Sequence, residues 1–312
     1  MVAAPLAGAA KQRMNSLNIS FSRRRGLQAM LLYGIAPGLF AAPPALPRAI
    51  SLFQGATDSL AALGVTPCGM VESWAEKPVY RYLRPRFSNV PQLGLETQPQ
   101  LEKMVLLKPD IIFASRFRHQ DVAPLMAKIA PVALLDDVFE FKKTLSVVGD
   151  RLGLADSANA LLHQWQSRVV TLRGRIAQHF AAPPTVSVIE VRPDHIRSYV
   201  AASFPGSVMS ELGFGWNSAA QQARSTSLRF SGFENIPLLN ADLFFILLRT
   251  ESAAIMRHYQ ALTAHPLWQQ LRAVKAQRLW TVDSVPWSLS GGILGANHML
   301  DDVDAALRGE GA

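Results

Sequence analysis

The sequence predicts two α/β lobes joined by a single long connecting helix. Short β-like runs alternate with helical segments from Arg48 onward. One long amphipathic stretch then interrupts them, and a second alternating series follows it.

In the first series, strands are expected at 49–53, Ile111–Ser115 and Val132–Leu135. A helix at 100–107 should end at Lys108-Pro109, because proline cannot continue a helix. Another helix is expected at 122–129, before Pro131. The long stretch spans 156–180. Ala158, Leu161, Leu162, Trp165, Val169, Leu172, Ile176 and Phe180 recur there at steps of three and four, which makes one apolar stripe. Asp156 is the expected N-cap. At 1.5 Å per residue this rod is about 37 Å long. Ala181-Ala-Pro-Pro184 breaks it. The second series then has strands at Thr185–Val191, 195–200, 243–248 and Leu279–Val282, and helices at 206–212, 262–271 and Ile293–Leu307. The expected domains are therefore 43–155, the helix 156–180, and 181–312. A stiff connector of this kind predicts a cleft whose walls move only slightly.

Composition narrows the function. The chain has 312 residues, 49% hydrophobic and 17% charged, which is enough for two cored domains and argues against disorder. Its net charge is +8, but Lys11, Arg13, Arg23, Arg24 and Arg25 all precede residue 43, where no acidic residue occurs. Removing those five leaves +3, too little for a nucleic-acid footprint. The single cysteine, Cys68, allows no internal disulfide or Cys-based metal cluster, and its apolar neighbours mark it as a packing residue. Residues 22–28, Ser-Arg-Arg-Arg-Gly-Leu-Gln, precede an apolar run from 29 to 42. That is an export leader, too short and broken to span a bilayer. It resembles a twin-arginine signal, with Gly26 and Gln28 departing from the usual Phe and Lys.

The segment Gln98-Pro-Gln-Leu-Glu-Lys-Met-Val-Leu-Leu-Lys-Pro-Asp-Ile-Ile-Phe113 resembles the signature of substrate-binding proteins for iron-siderophore, haem and cobalamin ABC importers. The stretch from Ala114 to Val132 looks closest to the iron(III)-dicitrate and ferric-hydroxamate binding proteins. Phe233-Glu-Asn-Ile-Pro-Leu-Leu-Asn240, His265-Pro-Leu-Trp-Gln-Gln-Leu271 and Val282-Asp-Ser-Val-Pro-Trp287 are similar as well. The resemblance covers about residues 48–307. It implies the class III, helical-backbone fold of periplasmic binding proteins, a monomer that grips a ferric siderophore in a shallow cleft. It also implies delivery to an inner-membrane ABC permease with its ATPase, without catalysis, and a periplasmic location. No resident cofactor or nucleic-acid partner is implied, and the ligand is the iron(III)-siderophore complex itself. Permease docking falls to one glutamate per lobe, at the matching positions Glu102 and Glu234.

Oxygen-rich chelates call for arginine, which makes charge-assisted bidentate contacts, and for aromatic surface. Such groups belong in loops just after strands. Arg116, Arg118 and His119 follow the strand Ile111–Ser115, and the two arginines point the same way if the chain there is extended. Arg192 ends a strand in the second lobe. By resemblance, Arg229 falls where the hydroxamate binder has a cleft tryptophan, Ser231 matches a cleft serine, Trp287 matches a second cleft tryptophan, and Ser288 to Gly292 line the mouth. Trp74, Tyr80 and Tyr82, interleaved with Arg81, Arg84 and Arg86, suit either a cleft rim or a plain surface loop. Glu96 departs from the family pattern, which has arginine there. A carboxylate repels an anionic chelate such as ferric dicitrate unless it pairs with a cleft arginine; otherwise it holds an amine or hydroxyl of the ligand, and the siderophore stays open between hydroxamate, citrate and mixed types.

The rival functions are weaker. No Gly-x-Ser-x-Gly elbow, Walker loop or His-Glu-x-x-His occurs to support an enzyme. A transition-metal binder needs converging histidines or carboxylates, and only His119 is well placed. A haem or cobalamin cleft would hold fewer arginines.

Overall fold

The computed structural model describes residues 45–309, so the leader lies outside the described residues. Two sheets organise the chain. The first is fully parallel, in the order Gly69–Met70, Ala49–Ser51, Ile111–Ser115, Val132–Leu135. Its strands are mostly apolar, Ser51 and Ser115 being buried exceptions, because both faces are covered, as parallel sheets require. Ala49, Ile111 and Phe113 face one core, while Ile50, Ile112 and Ala114 face the other.

The second sheet runs Ser227–Phe230, Ile196–Tyr199, Thr185–Val191, Leu243–Leu247, Leu279–Val282, with Gly215–Trp216 pairing beside Thr185–Val191. The last three strands of that order are mutually parallel, and the first two are antiparallel additions. Cross-strand register puts Glu190 opposite Arg197, and Arg197 opposite Arg229. Directly paired residues share a face, so these three form one row.

The connecting helix spans Ala155–His179. Its predicted stripe is real: Ala158, Trp165, Val169, Leu172 and Ile176 are buried. Its N-cap is Leu154 rather than Asp156, which lies in the first turn, where the helix dipole favours a carboxylate. Trp165 Nε1 donates to Glu211 Oε2 at 2.9 Å, and Arg168 and Arg175 pair with Asp301 and Asp304 of the C-terminal helix Ile293–Leu307.

Two further expectations are corrected. The helix expected at 262–271 is two, Ala253–Ala264 and Pro266–Gln269, because His265 precedes a proline and takes an extended conformation. The helix expected at 122–129 is the single turn Ala123–Met126. The helices Gln54–Ala62 and Phe141–Arg151 are additional to those expected; the first is buried nearly all round, whereas the second buries Phe141, Thr144, Leu145, Val148 and Gly149 on one face.

The two halves meet where the helix Gln54–Ala62 approaches the C-terminal helix. Asp58, fully buried, accepts from the backbone N–H groups of Leu294 (2.8 Å) and Gly295 (3.1 Å) and from the Tyr82 hydroxyl (2.8 Å). It satisfies donors that a helix N-terminus leaves open. Glycines allow this approach: a Cβ on Gly55 would lie 2.5 Å from the Gly291 carbonyl oxygen, and Gly291 itself has φ +59°.

Burial outweighs those three hydrogen bonds and pushes the Asp58 pKa up to about 6. The folded chain therefore holds this proton more tightly than the unfolded chain, and protonation adds stability as pH falls from 6 towards 3.8. Relative to Asp58→Asn, the natural protein should gain about 2 kcal/mol between pH 7 and pH 4. Denaturant unfolding at several pH values measures this, and a pH-independent difference contradicts it.

Candidate functional site

Cleft residues sit just past the C-terminal ends of strands, where open α/β sheets bind ligands. Ala49–Ser51 leads to Phe53, Gln54 and Gly55, Ile111–Ser115 to Arg118, and Val132–Leu135 to Val138 and Phe139. From the second lobe, Phe204 and the stretch Ser288 to Gly291 complete the walls, with Trp74 and Glu96 opposite. The space is about 610 Å³ including its open mouth.

Glu96 is the hub of the first wall. It is 4% exposed. Its Oε1 lies 2.6 Å from Arg118 Nε, its Oε2 accepts from Trp74 Nε1 at 3.0 Å, and the Gln54 backbone N–H also reaches it. Burial pushes its pKa up, with Arg118 opposing. The Arg118 guanidinium lies 4.7 Å from the Trp74 ring centroid and 5.4 Å from that of Phe117, within cation–π range. The sequence-level conflict at Glu96 thus resolves: its carboxylate is paired with Arg118.

The second lobe has a comparable hub. Glu190, 5% exposed, meets Arg192 Nε at 2.9 Å, Arg197 at 3.5 Å and the Tyr199 hydroxyl at 2.9 Å. Burial, then the Glu190 charge, pushes the Tyr199 pKa up to about 12. Tyr199 also contacts Ser288, which lines the cleft, whereas Glu190, Arg192, Arg197 and Tyr199 are not themselves among the residues that line it.

Other expected residues lie elsewhere. Arg116–His119 is a helical turn, not extended chain, so Arg116 and Arg118 do not share a face. Arg116 is exposed and pairs with Asp136 at 2.6 Å. His119 is fully buried: its Nδ1 accepts from the Ser115 N–H at 3.1 Å, so its Nε2 donates to the Glu96 carbonyl at 2.7 Å. Burial lowers its pKa, so the neutral ring braces the loop from behind and has no free nitrogen for a ligand. Trp287 is likewise corrected to a core residue. It is fully buried, tilted against Phe245 at 4.7 Å, and donates to Asp302 Oδ2 at 2.7 Å.

Arg229 is exposed and bound to Asp194 at 2.6 Å, at the outer end of the Glu190 row. Ser231 is exposed just beyond that strand, outside the cleft lining. Of the ambiguous aromatics, Trp74 lines the cleft, whereas Tyr80 is buried with its hydroxyl on the Leu289 carbonyl at 3.2 Å. Arg197 and Tyr199 were missed. The available signal was polar residues two apart in short apolar strands, Glu190 with Arg192 and Arg197 with Tyr199.

The fold and this cleft define a two-lobed solute-binding protein. Residues 50–286 match the periplasmic binding protein family, and the chain belongs to it. It is 54% identical to the achromobactin-binding periplasmic protein of Dickeya dadantii, over 90% of this chain and 94% of that one. It is 27% identical to the Fe(3+) dicitrate-binding periplasmic protein FecB of Escherichia coli, over 82% of this chain and 83% of that one. Among solved structures, Staphylococcus aureus SirA complexed with staphyloferrin B is 33% identical with a TM-score of 0.78, covering 84% of this chain and 93% of that one. The family and these relatives are binding proteins.

Because Trp287 belongs to the core, Trp287→Phe should cost about 1–2 kcal/mol of stability through its lost hydrogen bond to Asp302. Chelate affinity should change less than threefold. Denaturation and titration of the same preparation read both, and a large affinity loss with unchanged stability contradicts this placement.

Proposed function

We propose that this protein captures a ferric siderophore of the carboxylate-bearing type in the periplasm and hands it to an inner-membrane ABC permease and its ATPase. The observation that carries this is Arg118, held by Glu96 and laid over Trp74 on the cleft wall. A guanidinium so fixed favours planar, bidentate recognition of carboxylate. The relatives named for achromobactin and Fe(3+) dicitrate support the ligand class.

The protein supplies recognition, and the chelator fills the iron's coordination shell. Among the described residues, no group of three or more His, Cys, Asp or Glu is arranged to hold a metal ion. A cleft wall that presents the Arg118 guanidinium also suits a chelate better than haem or cobalamin. Glu102, on Leu101–Leu107, and Glu234, on Phe233–Leu239, are exposed, one on each lobe. They are the proposed docking residues for basic groups of the permease.

Titration with iron(III) citrate, iron(III) desferrioxamine B and haem tests the ligand class. Tryptophan fluorescence should quench and the melting temperature should rise with the carboxylate chelate. Arg118→Ala should weaken binding at least tenfold, as the loss of a charged hydrogen bond implies. Normal binding by Arg118→Ala, or preference for haem, overturns the reading. In cells, the double substitution Glu102→Ala, Glu234→Ala should abolish chelate uptake while leaving chelate binding intact.

A further inference from the structure

The two lobes carry the same device. In each, one oxygen of a buried glutamate meets an arginine Nε: Glu96 Oε1 with Arg118 at 2.6 Å, and Glu190 Oε1 with Arg192 at 2.9 Å. In each, the other oxygen accepts from an aromatic donor: Trp74 Nε1 at 3.0 Å, and the Tyr199 hydroxyl at 2.9 Å. Each carboxylate therefore lies against the inner edge of a guanidinium as a close ion pair, without the alignment of an Nε–H hydrogen bond. Among the described residues, the terminal nitrogens of Arg118 and Arg192 have no hydrogen-bond partner. That free fork is the part that grips a carboxylate with two parallel bonds.

We propose that Glu96 and Glu190 are paired positioning residues, one per lobe, which aim arginines at an iron chelate bearing carboxylates on two opposite faces. This rests on the function proposed above. The bulk charge of the site argues the other way at first sight, since two buried anions repel an anionic ligand. The geometry favours positioning. An arginine free to rotate must give up side-chain entropy on binding, whereas one already clamped has given it up during folding. Each glutamate is itself fixed, by burial and by its aromatic donor, so it cannot swing out to meet solvent. Arg197 joins this hub: it faces Glu190 at 3.5 Å and lies in the row that leads to Arg229. The ligand class follows from this duplication. A chelate with carboxylates on one face only would use one hub and leave the other unengaged.

Glu96→Gln and Glu190→Gln test the proposal, with iron(III) citrate as the probe. Each substitution adds positive charge to the cleft and turns an amide NH2 towards an Nε–H donor. Positioning predicts at least fivefold weaker binding for each. Coulomb attraction alone predicts tighter binding, and that result, or no change, overturns the proposal. A double-mutant cycle separates positioning from a general structural role. Glu190→Gln should cost less than twofold in an Arg192→Ala, Arg197→Ala background, whereas an equal loss there overturns the proposal. If Glu96→Gln does not fold, Trp74→Phe removes the donor to Oε2 and keeps a ring under Arg118 without changing the charge; weaker binding supports positioning and unchanged binding overturns it. A natural protein that binds no carboxylate-bearing chelate sinks the function itself. A natural protein that binds, with variants that bind more tightly, sinks only the positioning role.

Discussion

A carboxylate removed from water has to be paired, and the cleft is built around that constraint at Glu96. Leaving such an ion unpartnered costs several kcal/mol. Here an arginine, an indole N–H and a backbone N–H all converge on it. Each partner is thereby fixed in turn. Trp74 cannot turn its ring away without breaking its bond to Glu96, and Arg118 lies over that ring. His119 closes the back of the loop by bonding the Glu96 carbonyl. One buried charge thus orders the whole first wall.

The second wall is placed by the seam between the lobes. Asp58 closes the N-terminal end of the C-terminal helix, and the Tyr80 hydroxyl holds the Leu289 carbonyl. Gly55 and Gly291 let the two backbones come into contact beside the cleft. Ser288 to Gly291 are therefore tied to the first lobe, although they follow a strand of the second. The connecting helix adds ion pairs from Arg168 and Arg175 to the C-terminal helix. These ties favour small adjustments of the walls over wide opening.

Much of the architecture was legible in residue order. The strands Ile111–Ser115, Thr185–Val191 and Leu279–Val282 are short runs rich in apolar residues, bounded by proline, aspartate or charge, and the connecting helix has an unbroken stripe. Helices such as Gln54–Ala62 were invisible because burial all round erases periodicity, with even Gln54, Thr57, Asp58 and Ser59 buried. At the site, Arg118 and Glu96 were both legible as candidates, but their pairing spans 22 residues and depends on tertiary contact. His119 and Trp287 misled for the opposite reason. Each is a polar or amphipathic group whose hydrogen bond is satisfied inside the core, and sequence spacing does not distinguish that from a group waiting for a ligand.

A crystal structure of the protein with a bound carboxylate-bearing iron(III) chelate tests the central claim most directly. It should show both terminal nitrogens of Arg118 on a ligand carboxylate, with Glu96 still against Nε and Trp74 still beneath the guanidinium. A chelate seated away from Arg118, or an Arg118 that has left Glu96 to reach it, would contradict a cleft organised in advance around that buried charge.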